Sequence, residues 1–444
     1  MKFKLVPVAA AILSTVGAFN VSASDVVTDG WEVHGYASMN YRMVEGETVD
    51  TEYGKPDYKT AGTHGKSTNQ VEFTVKKHTE LESGTWSDFV VRTEYGNGNS
   101  YAYTSSGSQK QNDDAQFEVK EAFVEIGGLS FLGDDTSIWG GQRFLNRAAG
   151  ILSGEFWKQS SGVGAGIQTK LDGKTAGIAL VSADPDAGSA PGYELDCTTP
   201  GDVTTCGVKD KATGERTTAT SLDFYYYGVK ALGGSFDFDL KVMSQANKGD
   251  SADSGLGASI TYNRDYYGFD GWTQTAIAYG EGVAQNRGVN FGGWAGGDDK
   301  AQSIFFTSYG VLNISDKLQM GSELTYMASL DQLFGAEDLV RYIAAVRPSY
   351  KMNDNLRLEA TASYGHEEGK EGYFGGRTGD AIESNIINLE VAAAFTVNAD
   401  YFGRPQIKPY ISHIKADDDT SAGMIGIKSG DSETIFGIHT EIWF

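Results

Sequence analysis

An all-β transmembrane barrel of antiparallel strands is the fold this sequence predicts, and three observations predict it. An export signal opens the chain and no membrane-length apolar segment follows. Strand-length segments alternate apolar with polar side chains. Long polar, glycine-rich stretches separate those segments.

The export signal comes first. Lys2 and Lys4 give a positive start, an apolar run extends from Leu5 to Phe19, and Val21, Ser22 and Ala23 offer small residues for cleavage. Residues 1–23 are expected to be a signal peptide and 24–444 a single domain. No later stretch approaches the ~18–20 apolar residues of a membrane helix. An exported chain of this kind is either soluble or crosses the membrane as a closed barrel, where every backbone group is paired.

Alternation is the second observation. Phe236, Phe238, Leu240 and Val242 alternate with Ser235, Asp237, Asp239 and Lys241, and Leu356, Leu358, Ala360, Ala362 and Tyr364 with Arg357, Glu359, Thr361 and Ser363. Near the start, Val33, Ala37, Met39 and Tyr41 alternate with His34, Tyr36, Ser38, Asn40 and Arg42. A half-buried strand of a soluble sandwich alternates too. Charges of both signs on the polar face favour the barrel, whose lumen is wet. At the C-terminus Phe436, Ile438, Ile442 and Phe444 share one parity and Gly437, His439, Glu441 and Trp443 the other. If the even face meets lipid, Trp443 points into the lumen.

Connections are the third. Polar stretches at 45–66, 96–114, 183–217, 282–300, 365–380 and 416–432 read as long external loops, and Met352–Asn355 as a short turn at the other end. With 57 Gly and only 8 Pro in 444 residues, the composition suits many tight turns. Cys197 and Cys206 fall together in the longest loop. An oxidising compartment favours a loop-tip disulfide between them, two free thiols being the alternative.

Other chemistry finds little support. A net charge of −23 argues against nucleic acid as a partner, because phosphates need clustered Lys and Arg. The six His are scattered, which leaves no paired metal ligands. Gly65-Lys66-Ser67 lacks the leading glycine of a phosphate loop, Thr60 standing in its place. No catalytic residues, metal or cofactor are expected.

The stretch Ser137-Ile-Trp-Gly-Gly-Gln-Arg-Phe-Leu-Asn-Arg147, with Glu155-Phe-Trp157 and Ser161-Gly-Val-Gly-Ala-Gly166, resembles the maltoporin family of sugar-specific outer-membrane porins. His34–Ala37, Lys120–Val124, Gly403-Arg-Pro405 and the ending Glu441-Ile-Trp-Phe444 agree in order across nearly the whole mature chain. The resemblance implies an eighteen-stranded, homotrimeric barrel of the Gram-negative outer membrane, with an inward-folded third loop. It implies facilitated diffusion of maltose and maltodextrins over an aromatic slide, a general diffusion porin being the alternative. Implied partners are the oligosaccharide, two further copies, outer-membrane lipid and lipopolysaccharide, and the barrel-assembly machinery through Phe444.

Carried over residue by residue, Trp443, Phe402 and Phe269 match slide aromatics. Tyr36, Lys120, Arg147 and Phe156 match the constriction, with Phe156 at the loop tip where the family has tyrosine. Ser38 departs from a constriction arginine, for which Arg42, on the same parity, offers a substitute. The family's outer tryptophan is absent from Asn112-Asp-Asp114, for which Tyr101 or Tyr103 offers a substitute.

Overall fold

The computed structural model describes residues 26–49, 60–66, 69–98, 116–183, 193–198, 205–210, 218–246, 252–292, 299–370 and 382–444. The expected signal peptide lies outside them, as do Tyr101, Tyr103 and Asn112–Asp114.

Among the described residues eighteen long strands form one sheet. In chain order they are β1 (Val26–Val44), β2 (Asn69–Leu81), β3 (Trp86–Gly98), β4 (Gln116–Gly127), β5 (Ser137–Ala149) and β6 (Phe156–Leu171). Then come β7 (Lys174–Ala183), β8 (Thr218–Ala231), β9 (Gly234–Ala246), β10 (Ser254–Tyr266), β11 (Phe269–Glu281) and β12 (Gln302–Asn313). The last are β13 (Leu318–Ser329), β14 (Val340–Asn353), β15 (Leu356–Gly369), β16 (Ile382–Thr396), β17 (Gln406–Ala416) and β18 (Ser432–Trp443). Each long strand pairs antiparallel with its chain neighbours, and β1 pairs with β18 from Tyr36 opposite Trp443 to Val44 opposite Ile435. The ring is therefore closed and presents no strand edge to lipid.

Turn chemistry sets the register at the end where the described chain starts and finishes. Asp172-Gly173, Leu232-Gly233 and Tyr267-Gly268 each have positive φ at both positions. That geometry matches the twist of two-residue hairpins. β14 and β15 meet across Asp354 and Asn355, within the turn expected from sequence.

The alternation resolves into two environments. Leu358, Tyr364, Phe238, Leu240, Val242, Met39, Tyr41, Phe436 and Ile438 are exposed on the outer wall, where lipid replaces water. Arg357, Glu359, Thr361, Asp239, Lys241, Ser38, Asn40, Arg42, His439 and Glu441 are buried on the inner one. Gly35 shows how tightly the closure is made. A Cβ there would lie 2.3 Å from the ring of Phe444, which crosses it to meet Phe73 edge-on, ring centres 6.3 Å apart.

Candidate functional site

Polar side chains inside the barrel are not all in water, because three segments fold against its inner wall. The first is 60–66. Thr63 donates from its amide and hydroxyl to Glu390 (2.7 and 2.6 Å), Asn40 donates to the Thr63 carbonyl (2.8 Å), and Ser412 shares a hydrogen bond with His64 (3.0 Å). Arg42, expected to replace the arginine absent at Ser38, is instead fully buried and donates to the Lys66 carbonyl (2.8 Å). It serves the segment rather than the channel. Ser38, also fully buried, hydrogen-bonds His439 (2.9 Å).

The second segment joins β5 to β6. The amides of Leu152 and Ser153 donate to Glu323 of β13 (2.7 and 3.2 Å), and the Ser153 hydroxyl does so too. β13 lies eight places round an eighteen-strand ring from β5, almost opposite. Trp157 stacks on Phe305 (ring centres 5.9 Å apart) and donates to the Tyr309 hydroxyl (3.3 Å). Lys158 pairs with Asp239 (2.9 Å) and Glu155 with Arg287. Leu152 also packs with Ala61, Ile343 and Ala345, so the two segments meet over one apolar contact.

The third segment, 397–405, connects β16 to β17. Arg357 donates to the carbonyls of Asp400 (3.0 Å) and Gly403 (3.3 Å), and the Tyr401 amide donates to Gln319 (2.9 Å).

Less covered are inner-wall side chains of β2–β5, Tyr36 of β1, and the mouth at the end of the barrel where the described chain starts and finishes. Tyr36 is half-buried and donates to Glu441 (3.2 Å). On β4 the pairing with β3 skips Lys120, a bulge that carries the inward parity from Glu118 to Glu121. Lys120 pairs with Glu118 and lies 3.9 Å from Glu94, while Arg92 bridges Glu72 and Glu121. Arg147 belongs to a second irregularity, where Asn146 takes a positive φ and β5 slips against β6 between Leu145 and Ala148. Its guanidinium lies 3.8 Å from the ring centre of Phe156 and 4.8 Å from that of Phe144. Phe156 starts the returning strand, and the tip of the segment is Leu152-Ser153.

The aromatics divide. Trp443 is 44% exposed on the inward parity, under the guanidinium of Arg404 (4.6 Å). Phe402 is 41% exposed and its ring lies 6.3 Å from that of Trp272, which in turn meets Tyr309 edge-on. Phe269 opens β11 beside the Tyr267-Gly268 turn, highly exposed, and no ring contact among the described residues joins it to the others. The structure thus brings Trp272, not Phe269, to Phe402.

The LamB porin model matches residues 31–444. The chain belongs to the LamB porin family. Across 99% of its length it is 23% identical to the maltoporin of Vibrio cholerae serotype O1, covering all of that protein. It is 24% identical to maltoporin 1 of Klebsiella pneumoniae over 98% of this chain and 97% of that one. Among solved structures, OccAB2 of Acinetobacter baumannii superposes with a TM-score of 0.48 at 11% identity, covering 95% of this chain and all of the other. This LamB-family porin is a β-barrel of the Gram-negative outer membrane.

Two constellations inside the porin look catalytic in outline. Ser160 lies against Lys241 and Asp223, and Ser412 against His64 and Glu390. All six side chains are essentially sealed from solvent, so neither set has a face for a substrate. Sequence reasoning missed Trp272, Glu323 and Arg404. Only Arg404 carried a signal, its place in Gly403-Arg-Pro405.

Proposed function

We propose that this porin is a sugar-selective channel for maltose and maltodextrins, without enzymatic activity, working as a homotrimer. The observation that carries the reading is the set of exposed rings at the periplasmic mouth, Trp443, Phe402 and Trp272, with Tyr36 of the β1–β5 wall directly across from Trp443 in register. Pyranose faces present C–H groups that pack on aromatic planes, and sugar edges present hydroxyls that need charged or hydroxyl partners. Tyr36, Lys120 and Arg147 supply those partners. Phe156 backs Arg147. The segment bonded to Glu323 is the constriction in this reading. Full-length relatives named maltoporin support the choice of sugar.

A general diffusion porin is the second reading. Ser38, with no charge and its hydroxyl held by His439, favours it. Single-channel recording separates the two, because only a selective channel is blocked by micromolar-to-millimolar maltodextrin. Stacking is worth ~1–3 kcal/mol per ring in nucleic-acid grooves, and a sugar face falls at the low end. Trp443→Ala is therefore expected to weaken block about five- to tenfold, at 1.4 kcal/mol per decade, with ion conductance kept. Unchanged block in an intact trimer leaves the general porin.

The loop disulfide belongs to this reading as well. The hairpin of Tyr193–Thr198 with Thr205–Asp210 sets Cys197 opposite Cys206 in backbone register. Directly opposed residues have Cα atoms ~4.5–5.5 Å apart, inside the range a disulfide spans. The two side chains lie outside the described residues. A mass shift of two hydrogens on reduction tests the bond.

A further inference from the structure

We propose that Arg404 is a specificity-determining residue of the channel. Held over the Trp443 ring, it leaves one side of the indole for stacking and offers donor N–H groups to sugar hydroxyls beside it. The inference rests on the sugar-channel reading and adds a residue to it.

Three contacts fix the guanidinium. Its Cζ is 4.6 Å from the Trp443 ring centre, within cation–π range. Its Nε donates to Glu441 Oε2 (2.6 Å) and its Nη1 to the Gly403 carbonyl (2.9 Å). Glu441, only 3% exposed, is fixed in turn by Gln406 Nε2 (3.0 Å) and by the Tyr36 hydroxyl on its other oxygen (3.2 Å). Tyr36, Glu441, Arg404 and Trp443 thus form one connected unit in which Glu441 is a positioning residue.

Arginine carries five N–H donors. Among the described residues the Nη2 pair of Arg404 has no acceptor, and Trp443 beneath remains nearly half exposed. Stacking alone discriminates poorly, because every pyranose has an apolar face. A donor of fixed plane beside the stacking surface reads how the hydroxyls are arranged around the ring. Lysine does not replace it, since an ammonium has neither the plane that lies on indole nor the fork that holds Glu441 and Gly403 together. Arg404 also stands two residues after Phe402, between two stations of the slide.

The test compares wild type with Arg404→Lys in planar bilayers, titrating maltohexaose and its β-linked isomer cellohexaose and recording reversal potential in a KCl gradient. Arg404→Lys is expected to keep the reversal potential, to weaken maltohexaose block about three- to tenfold, and to narrow the preference for one isomer. Glu441→Gln, which loosens the anchor, is expected to move block the same way by a smaller factor. Retention of affinity and preference within twofold in Arg404→Lys overturns the inference and leaves the sugar channel standing. Where Arg404→Lys does not assemble, unchanged block in Glu441→Gln overturns it equally. A wild-type channel that neither sugar blocks overturns the sugar-channel reading together with the inference.

Discussion

Trp443 faces the lumen because it precedes Phe444, whose ring lies outside over Gly35, and adjacent side chains of a strand point to opposite faces. That placement was legible from parity alone. Phe402 was not, since it sits in a connection where alternation has no meaning, and only the family resemblance pointed to it. Phe269 and Trp272 show why counting fails at a strand start. Gly271 between them has a φ of +134°, and the register against β10 slips between Arg264 and Tyr266, so parity does not run back to the turn. The geometry gives a direct contrast. Trp272→Ala is expected to weaken maltodextrin block about three- to tenfold, from the same stacking range of ~1–3 kcal/mol. Phe269→Ala should stay within twofold of wild type. Equal effects in the two variants would return Phe269 to the slide.

Two elements depend on single carboxylates. Glu323 is one of 59 acidic residues, and nothing local marks it. Its role comes from receiving the amides of Leu152 and Ser153, some 170 positions earlier in the chain. Folding of the 150–155 segment against the far wall was therefore legible only through resemblance. Glu323→Ala leaves those buried N–H groups unpaired at ~1–3 kcal/mol each. The expected result is larger, noisier single-channel conductance in a barrel of normal heat-modifiable mobility. Conductance equal to wild type would show that the segment does not set the narrowest point. Asp418 plays the same part in the loop between β17 and β18, where it caps the six-residue helix Asp419–Met424. It accepts from the amides of Thr420 (2.7 Å) and Ser421 (2.8 Å). These hydrogen bonds, that of the Ser421 amide first, lower its pKa below the usual aspartate value. A depressed carboxylate pKa stabilises the helix at pH values above the unfolded pKa, and the effect fades as pH falls through the folded one. Below about pH 4, amide-exchange protection at Ser421, corrected for intrinsic rates, should fall in wild type. In Asp418→Asn it should be lower at neutral pH and flat with pH. A wild-type profile that is also flat would remove Asp418 as the cap.

At the scale of the molecule, a two-residue alternation and a handful of turns specify the barrel, because each strand needs only one face for lipid and one for the interior. The strand at Leu356–Gly369 was readable this way. Leu358 and Tyr364 are exposed outside, and Glu359, Thr361 and Ser363 are buried inside. What alternation could not reveal is that much of the inner face is covered. Arg347 donates to Thr361 (2.8 Å), Lys408 pairs with Glu359 (3.2 Å), and Ser363 donates to the Ala61 carbonyl (3.2 Å). The lumen is thus partly a polar core assembled from distant segments, and inward substitutions there are less innocuous than a water-filled pore would allow. This asymmetry sets the final prediction. Leu358→Arg places a charge on the outer wall, at a cost of ~2–4 kcal/mol near the bilayer midplane. It should lower the yield of heat-modifiable barrel on refolding into bilayers. Thr361→Ser keeps the hydroxyl that Arg347 uses and removes only a methyl group, so its yield should match wild type. If Leu358→Arg refolds as well as Thr361→Ser, then Leu358 does not meet lipid, and the inside-out reading of the strand would have to be reversed.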